Sequence, residues 1–225
     1  MQRNLPIKMK RDFLKRWMSY FSPQQKFYYS NLSKDLEIRW SKGKKTLNTR
    51  HANYSYGGLQ EVMNRGLSRI PLEGVESVLV LGMGGGCVVD SLRNKFNYHG
   101  EITGVEVDPV VMEIAKKEFS LHKDKKVQLI EADAEDYVSK NQEKFDLIII
   151  DIFIDVKVPE QFYSLKFWRN VKRMVNHHGF VLFNAGIDLS EEKLEEFLDV
   201  IEEKFIYQIK FEVLVSNTVV ILQKI

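Results

Sequence analysis

A single cysteine, Cys87, in 225 residues excludes an internal disulfide and points to a reducing compartment, so the chain is read as cytoplasmic. Long apolar runs are missing too. The longest, Val78–Leu81 and Leu147–Ile150, are strand-sized, far short of the roughly 20 residues a membrane helix needs. The basic opening Met1–Lys8 has no apolar stretch behind it, so no secretory signal is expected. Five scattered histidines and one cysteine give no metal-ligand spacing, and no serine elbow of a hydrolase is visible. There is no internal repeat and no low-complexity tract. What is present is 44% apolar and 28% charged, an ordinary globular composition, and long enough for one moderate domain with a small appendage.

The net charge of +2 hides an asymmetry: residues 1–50 hold 13 Lys and Arg against 3 acids, the remainder 20 against 28. The first segment is therefore +10 and the body −8. Phe13, Leu14, Trp17, Met18 and Phe21 recur at helical spacing among Lys8, Lys10, Arg11, Lys15 and Arg16. A surface-seeking helix would look like this. The favoured reading is instead a helix docked on its own acidic body or on a second subunit, which leaves a homodimer open as one assembly and disfavours nucleic acid as a partner.

After Pro23, Leu36–Trp40 alternates apolar and polar, Ser41–Lys45 turns, and Thr46–Thr49 returns as a strand, a short hairpin. The expected division is 1–50, a basic helix with this hairpin, and 51–225, the main domain, opened by a helix over Gly58–Leu67. From Ser77 strands and helices alternate. The expected strands are 78–81, 101–106, 127–130, 147–150 and 180–183. Helices are expected over 88–96, from Pro109 with Asp108 as its N-cap, and over 134–139, 162–175 and 190–204. Ile206–Leu214 and Thr218–Leu222 are too close for a crossover and must pair antiparallel. The fold class predicted is α/β: a Rossmann-like, doubly wound, mostly parallel seven-stranded sheet with an antiparallel C-terminal hairpin.

Gly82-Met83-Gly84-Gly85-Gly86-Cys87 lies between a buried strand and a helix, where absent Cβ atoms allow a sharp turn and close approach of a ligand. The Lys-Ser/Thr of a nucleotide-triphosphate loop is missing, and the dinucleotide pattern fits only if Cys87 replaces its third glycine. Glu106 ends the next strand 20 residues past Gly86, near the offset at which an acid meets a ribose diol. Asp133 follows the third strand and suits either an adenine amino group or a helix N-cap. Asp151 ends the fourth strand and should face the same crevice, with Asp155 nearby. Two acids there could hold a cationic acceptor, each worth about 4 kcal/mol to a cation at ~4 Å with an effective dielectric near ~20.

These pieces together resemble the spermidine synthase (polyamine aminopropyltransferase) family on the class I methyltransferase fold. They are Val78–Gly86, Val105-Glu106-Val107-Asp108, Glu131-Ala132-Asp133-Ala134, Phe145–Asp151 and Phe162–Trp168. The resemblance implies a bound S-adenosylmethionine or its decarboxylated form. It would place Gly82–Gly86, Glu106, Val107, Asp133, Ala134 and Asp151 around the donor, with Asp151 at the reacting end. Asp155 and Tyr56, with Tyr54, would line the small-molecule acceptor pocket; packing roles for the two tyrosines are equally open. No metal is implied.

The chain departs from that family at three places. Gly85 stands where aminopropyltransferases carry an aspartate, Asp151 and Asp155 are spaced D-x-x-x-D rather than D-x-x-D, and the family's acidic, glutamine-containing stretch is not evident. A decarboxylated donor presents an ammonium that wants a carboxylate; without one at 85, and with its backbone exposed, the site tilts toward the intact donor. The expectation is therefore methyl transfer to a small molecule, an amine among the candidates. The alternatives are aminopropyl transfer and a non-catalytic nucleoside-binding module.

Overall fold

Val78, Leu79, Val80 and Leu81 are all fully buried, as a strand covered on both faces must be. In the computed structural model, which describes residues 14–49, 53–154, 157–187, 190–202, 205–213 and 217–224, this run is the centre of a seven-stranded sheet. Its strands are β5 (Ser77–Leu81), β6 (Glu101–Glu106), β7 (Val127–Glu131), β8 (Phe145–Ile150), β9 (Val175–Ile187), β10 (Ile206–Val213) and β11 (Asn217–Gln223), in the order β10-β11-β9-β8-β5-β6-β7. From β9 to β7 the pairs are parallel, whereas β11 runs antiparallel to both β9 and β10. The predicted fold class stands, C-terminal hairpin included.

Alternation within β5 divides the core. Leu79 and Leu81 face one cluster with α5 (Ala134–Lys140), α6 (Leu165–Met174) and α7 (Glu191–Glu202). Val78 and Val80 face another with α2 (Gly58–Leu67) and α3 (Cys87–Asp90). Helices on both faces make the sheet doubly wound.

Three local readings are corrected. The helix expected over 88–96 is one α-turn, α3, continued as a π-helix over Ser91–Lys95. The helix expected from Phe162 starts at Leu165, because Ser164 accepts the Phe167 N–H as N-cap and Glu160–Tyr163 forms a separate 3-10 turn. The expected hairpin is a four-stranded antiparallel sheet: β1 (Gln24–Ser30), β2 (Lys34–Ser41), β3 (Lys44–Thr49) and β4 (Asn53–Ser55).

Leu36, Ile38 and Leu47 of the small sheet bury against Val111 and Ile114 of α4 (Pro109–Lys117). Polar contacts fasten the same seam. Glu118 receives Lys26, Lys45 and the Tyr28 hydroxyl, and Asp108 receives the Ser30 and Ser33 hydroxyls. The outer side is different: Trp17, Tyr20, Phe21, Phe27, Tyr29 and Leu32 are all more than half exposed. Residues 14–18 form a short helix (α1) whose end is held by the Lys42 and Gly43 N–H groups. Phe13 and the basic residues before it lie outside the described residues.

Candidate functional site

Four strand ends are laced into one row. The Asp151 N–H donates to the Leu81 carbonyl, the Gly82 and Met83 N–H groups both donate to Val105, and the Ala132 N–H donates to Glu106. This row is the carboxyl end of the parallel sheet at the point where the order runs out from β5 in both directions, the place where open α/β sheets bind ligands.

The glycine loop follows β5 with φ of +82° at Gly82 and +88° at Gly86, conformations that a side chain resists. Packing restricts it further. A Cβ at Gly82 would strike the Asp151 carbonyl oxygen, and one at Gly86 would lie 2.6 Å from Leu121. At Gly85 it would meet Ser55 at 3.0 Å and Phe119 at 3.3 Å. Gly85 is therefore buried under the protein's own side chains rather than exposing its backbone. Met83 points inward: it is 2% exposed, and its methyl lies where a Cβ on Gly104 would be.

Glu106 ends β6 almost fully buried, its two oxygens accepting the Gly84 N–H at 2.9 Å and the Asp108 N–H at 3.1 Å. Burial raises its pKa against those two donors. Both bonds use one lone pair per oxygen, and a carboxylate has further acceptor capacity. Asp108 caps α4 as expected, accepting from Val110 and Val111. Between them Val107 is 47% exposed, an apolar side chain at the rim of the row. Asp133 caps α5 through the Asp136 N–H and is itself exposed, with Ala134 starting the helix behind it.

Asp151 is 9% exposed at the end of β8, and burial pushes its carboxyl up to about 6 although the Asn184 amide donates to it. The Cys87 thiol, fully shielded under the loop, is raised to about 11 by burial and by the charge of Asp151. Tyr56 lies beside Cys87 and Asp90, stacked on Phe119 at 4.5 Å between ring centres, and burial raises its phenol. Its ring thus belongs to the roof that also covers Gly85. The structure brings Asp151, the glycine loop and Glu106 into one row, with Tyr56 stacked on Phe119 beside Cys87; Asp155 and the side chain of Tyr54 lie outside the described residues. Two polar groups were not anticipated: Asn184, and Gln60, whose amide bonds Asp90 and Ser91 beneath the loop. Asn184 had a visible signal, a polar residue closing the apolar run of β9.

A spermine/spermidine synthase domain model matches residues 61–221. The chain belongs to the spermine/spermidine synthase family. Polyamine aminopropyltransferase 2 of Aquifex aeolicus is 33% identical over 124 residues, 51% of this chain and 24% of that protein. The curated relatives it matches are aligned over less than half of their own length. Two solved structures share the fold. A probable spermidine synthase from Corynebacterium glutamicum has a TM-score of 0.62 at 15% identity, covering 90% of this chain and 77% of that one. Human methyltransferase-like protein 13 in complex with SAH has a TM-score of 0.59 at 23% identity, covering 74% and 78%. Within the family span lie the glycine loop, Glu106, Asp133, Asp151 and Asn184, whereas Tyr56 and the small sheet precede it.

Proposed function

We propose that this member of the family transfers a methyl group from S-adenosylmethionine to a small-molecule acceptor, an amine by the chemistry of the site. The residues fit a nucleoside donor: an acid with spare lone pairs at Glu106, an exposed apolar rim at Val107 for a base, and an exposed carboxylate at Asp133 for an amino group. When bound, the donor supplies a carbon already activated by its sulfonium, so the protein's part is alignment and local field. Glu106 would hold the ribose and Asp133 with Ala134 the base, while the loop Gly82–Gly86 sets the floor. Asp151 would orient the acceptor nitrogen and take its proton, a task suited to a carboxyl raised to about 6. As the nitrogen bonds to the methyl carbon, the carbon–sulfur bond breaks and sulfur keeps the electron pair.

The observation that carries the choice of donor is Gly85. The position carries no acid, and a Cβ there would press on Ser55 and Phe119, so the loop offers no carboxylate to the ammonium of a decarboxylated donor. The second reading, aminopropyl transfer, is supported by the relatives' names. Calorimetry with both donors, side by side, decides: intact S-adenosylmethionine should bind more tightly, and tighter binding of the decarboxylated form overturns methyl transfer. For the exposed aromatic face of residues 14–32, the partner we propose is a second copy of the chain, since β1 is an edge strand among the described residues and another β1 can pair with its outer backbone groups.

A further inference from the structure

Asn184 is fully buried at the carboxyl end of β9, beside the end of β8. Its amide N–H donates to Asp151 Oδ1 at 2.9 Å. Its own oxygen accepts from the Gly186 backbone N–H and from the Asn217 side-chain amide, both at 3.2 Å. Two donors converging on one end of the amide require oxygen there, which forces the NH2 group toward Asp151. Gly186 can turn its N–H back because it adopts φ +91°, and Asn217 opens β11. Three strands thus cooperate at one carboxylate.

We propose that Asn184 is a positioning residue for Asp151: it occupies one carboxylate oxygen, leaves the other for the acceptor, and is itself fixed in sense by the Gly186 N–H together with Asn217. Among the described residues, Oδ1 alone of the two oxygens takes a hydrogen bond. The inference rests on the reading of Asp151 as the acid that meets the acceptor. It also assigns the antiparallel C-terminal hairpin a part in the reacting end, through Asn217. A donor aimed at a carboxylate favours its ionised form, so removing it should raise the titration midpoint. Among the described residues, the titratable group that senses the charge of Asp151 is Cys87, which at about 11 stays neutral throughout.

The test is the Asp151 carboxyl titration, followed by carbon-13 NMR on the full chain labelled at aspartate, with Asp151→Asn for assignment. In the unaltered protein the midpoint should lie near 6. Asn184→Ala should move it up by about one unit, the size expected for a lost hydrogen bond to a charged group. Asn217→Ala keeps Asn184 and removes one of the two donors that fix its sense, the Gly186 N–H remaining, and should move the midpoint in the same direction by less. An unchanged midpoint in both variants, with native amide spectra, overturns the proposal. If Asn184→Ala does not fold, Asn184→Leu, close in shape but without the amide donor, decides by itself: raised supports, unchanged overturns. A merely structural asparagine would alter melting without moving this titration. The readout needs neither donor nor acceptor, so a failure of the methyl-transfer reading would show in calorimetry while this result stood.

Discussion

Asp151 carries an electrostatic cost along with its chemistry. Its folded pKa of about 6 lies above the ordinary 3.8, so the folded chain holds more protons than the unfolded chain between those values. Stability is therefore fully present below about pH 4 and is lost as pH rises through 6, by about 3 kcal/mol when the group is ionised. Asp151→Asn should melt at a higher temperature than the unaltered protein at pH 7.5, and the gap should close below pH 4. The same variant should lose about 10²- to 10⁴-fold in turnover while still binding donor in calorimetry. Turnover that survives Asp151→Asn would remove this residue from the chemistry. In the unaltered protein, activity should climb with pH through 6 as the carboxylate forms.

At the scale of elements, the glycine loop is held by contacts from four directions, and its glycines are not equivalent. Gly82→Ala places a Cβ against the Asp151 carbonyl in a left-handed backbone and should cost about 3 kcal/mol or more, read by denaturant melts. Gly58→Ala, at the first turn of α2 with nothing within 4 Å, should gain about 0.5 to 1 kcal/mol. The same scale shows what could be read before folding. Strands such as Val78–Leu81 and Leu147–Ile150 declare themselves because burial on both faces demands unbroken apolar residues. The strand Gln24–Ser30 does not: at an edge, with Phe27 and Tyr29 facing out and Lys26 salt-bridged to Glu118, it has no alternation of the usual sense. The π-turn at Ser91–Lys95 rests on hydrogen-bond register, which residue type does not reveal. Glu106, Asp133 and Asp151 were legible because strand ends are predictable. Asn184 acquires meaning only when β9 is laid beside β8, and the covering of Gly85 by Ser55 and Phe119 needs the whole seam.

Across the molecule, Glu118 couples the small sheet to the large one. Burial alone would raise its carboxyl, but Lys26, Tyr28 and Lys45 together hold it at about 2. A depressed acid contributes stability above its unfolded value near 4.5, and loses it as pH falls toward 2. Glu118→Gln should thus speed hydrogen exchange in Gln24–Ser30 and Lys44–Thr49 at pH 7, with β5 and β8 unaffected; uniform protection in the variant would contradict that coupling. Sedimentation velocity tests the outer face. The unaltered chain should sediment as a dimer, Phe27→Glu with Tyr29→Glu as a monomer; a monomeric unaltered chain eliminates the pairing.

Met83 and Gly104 are a lock and its slot, since the thioether methyl occupies the room that any side chain at 104 would claim. The two positions, one in the glycine loop and one on β6, pack against each other, so a side chain at 104 requires the Met83 side chain to move. A lineage keeping methionine at 83 should favour glycine at 104, whereas one that shortens 83 gains freedom to put alanine or valine opposite. That paired variation, sought across many sequences, would record the fit of this loop against β6 in the genealogy of the family.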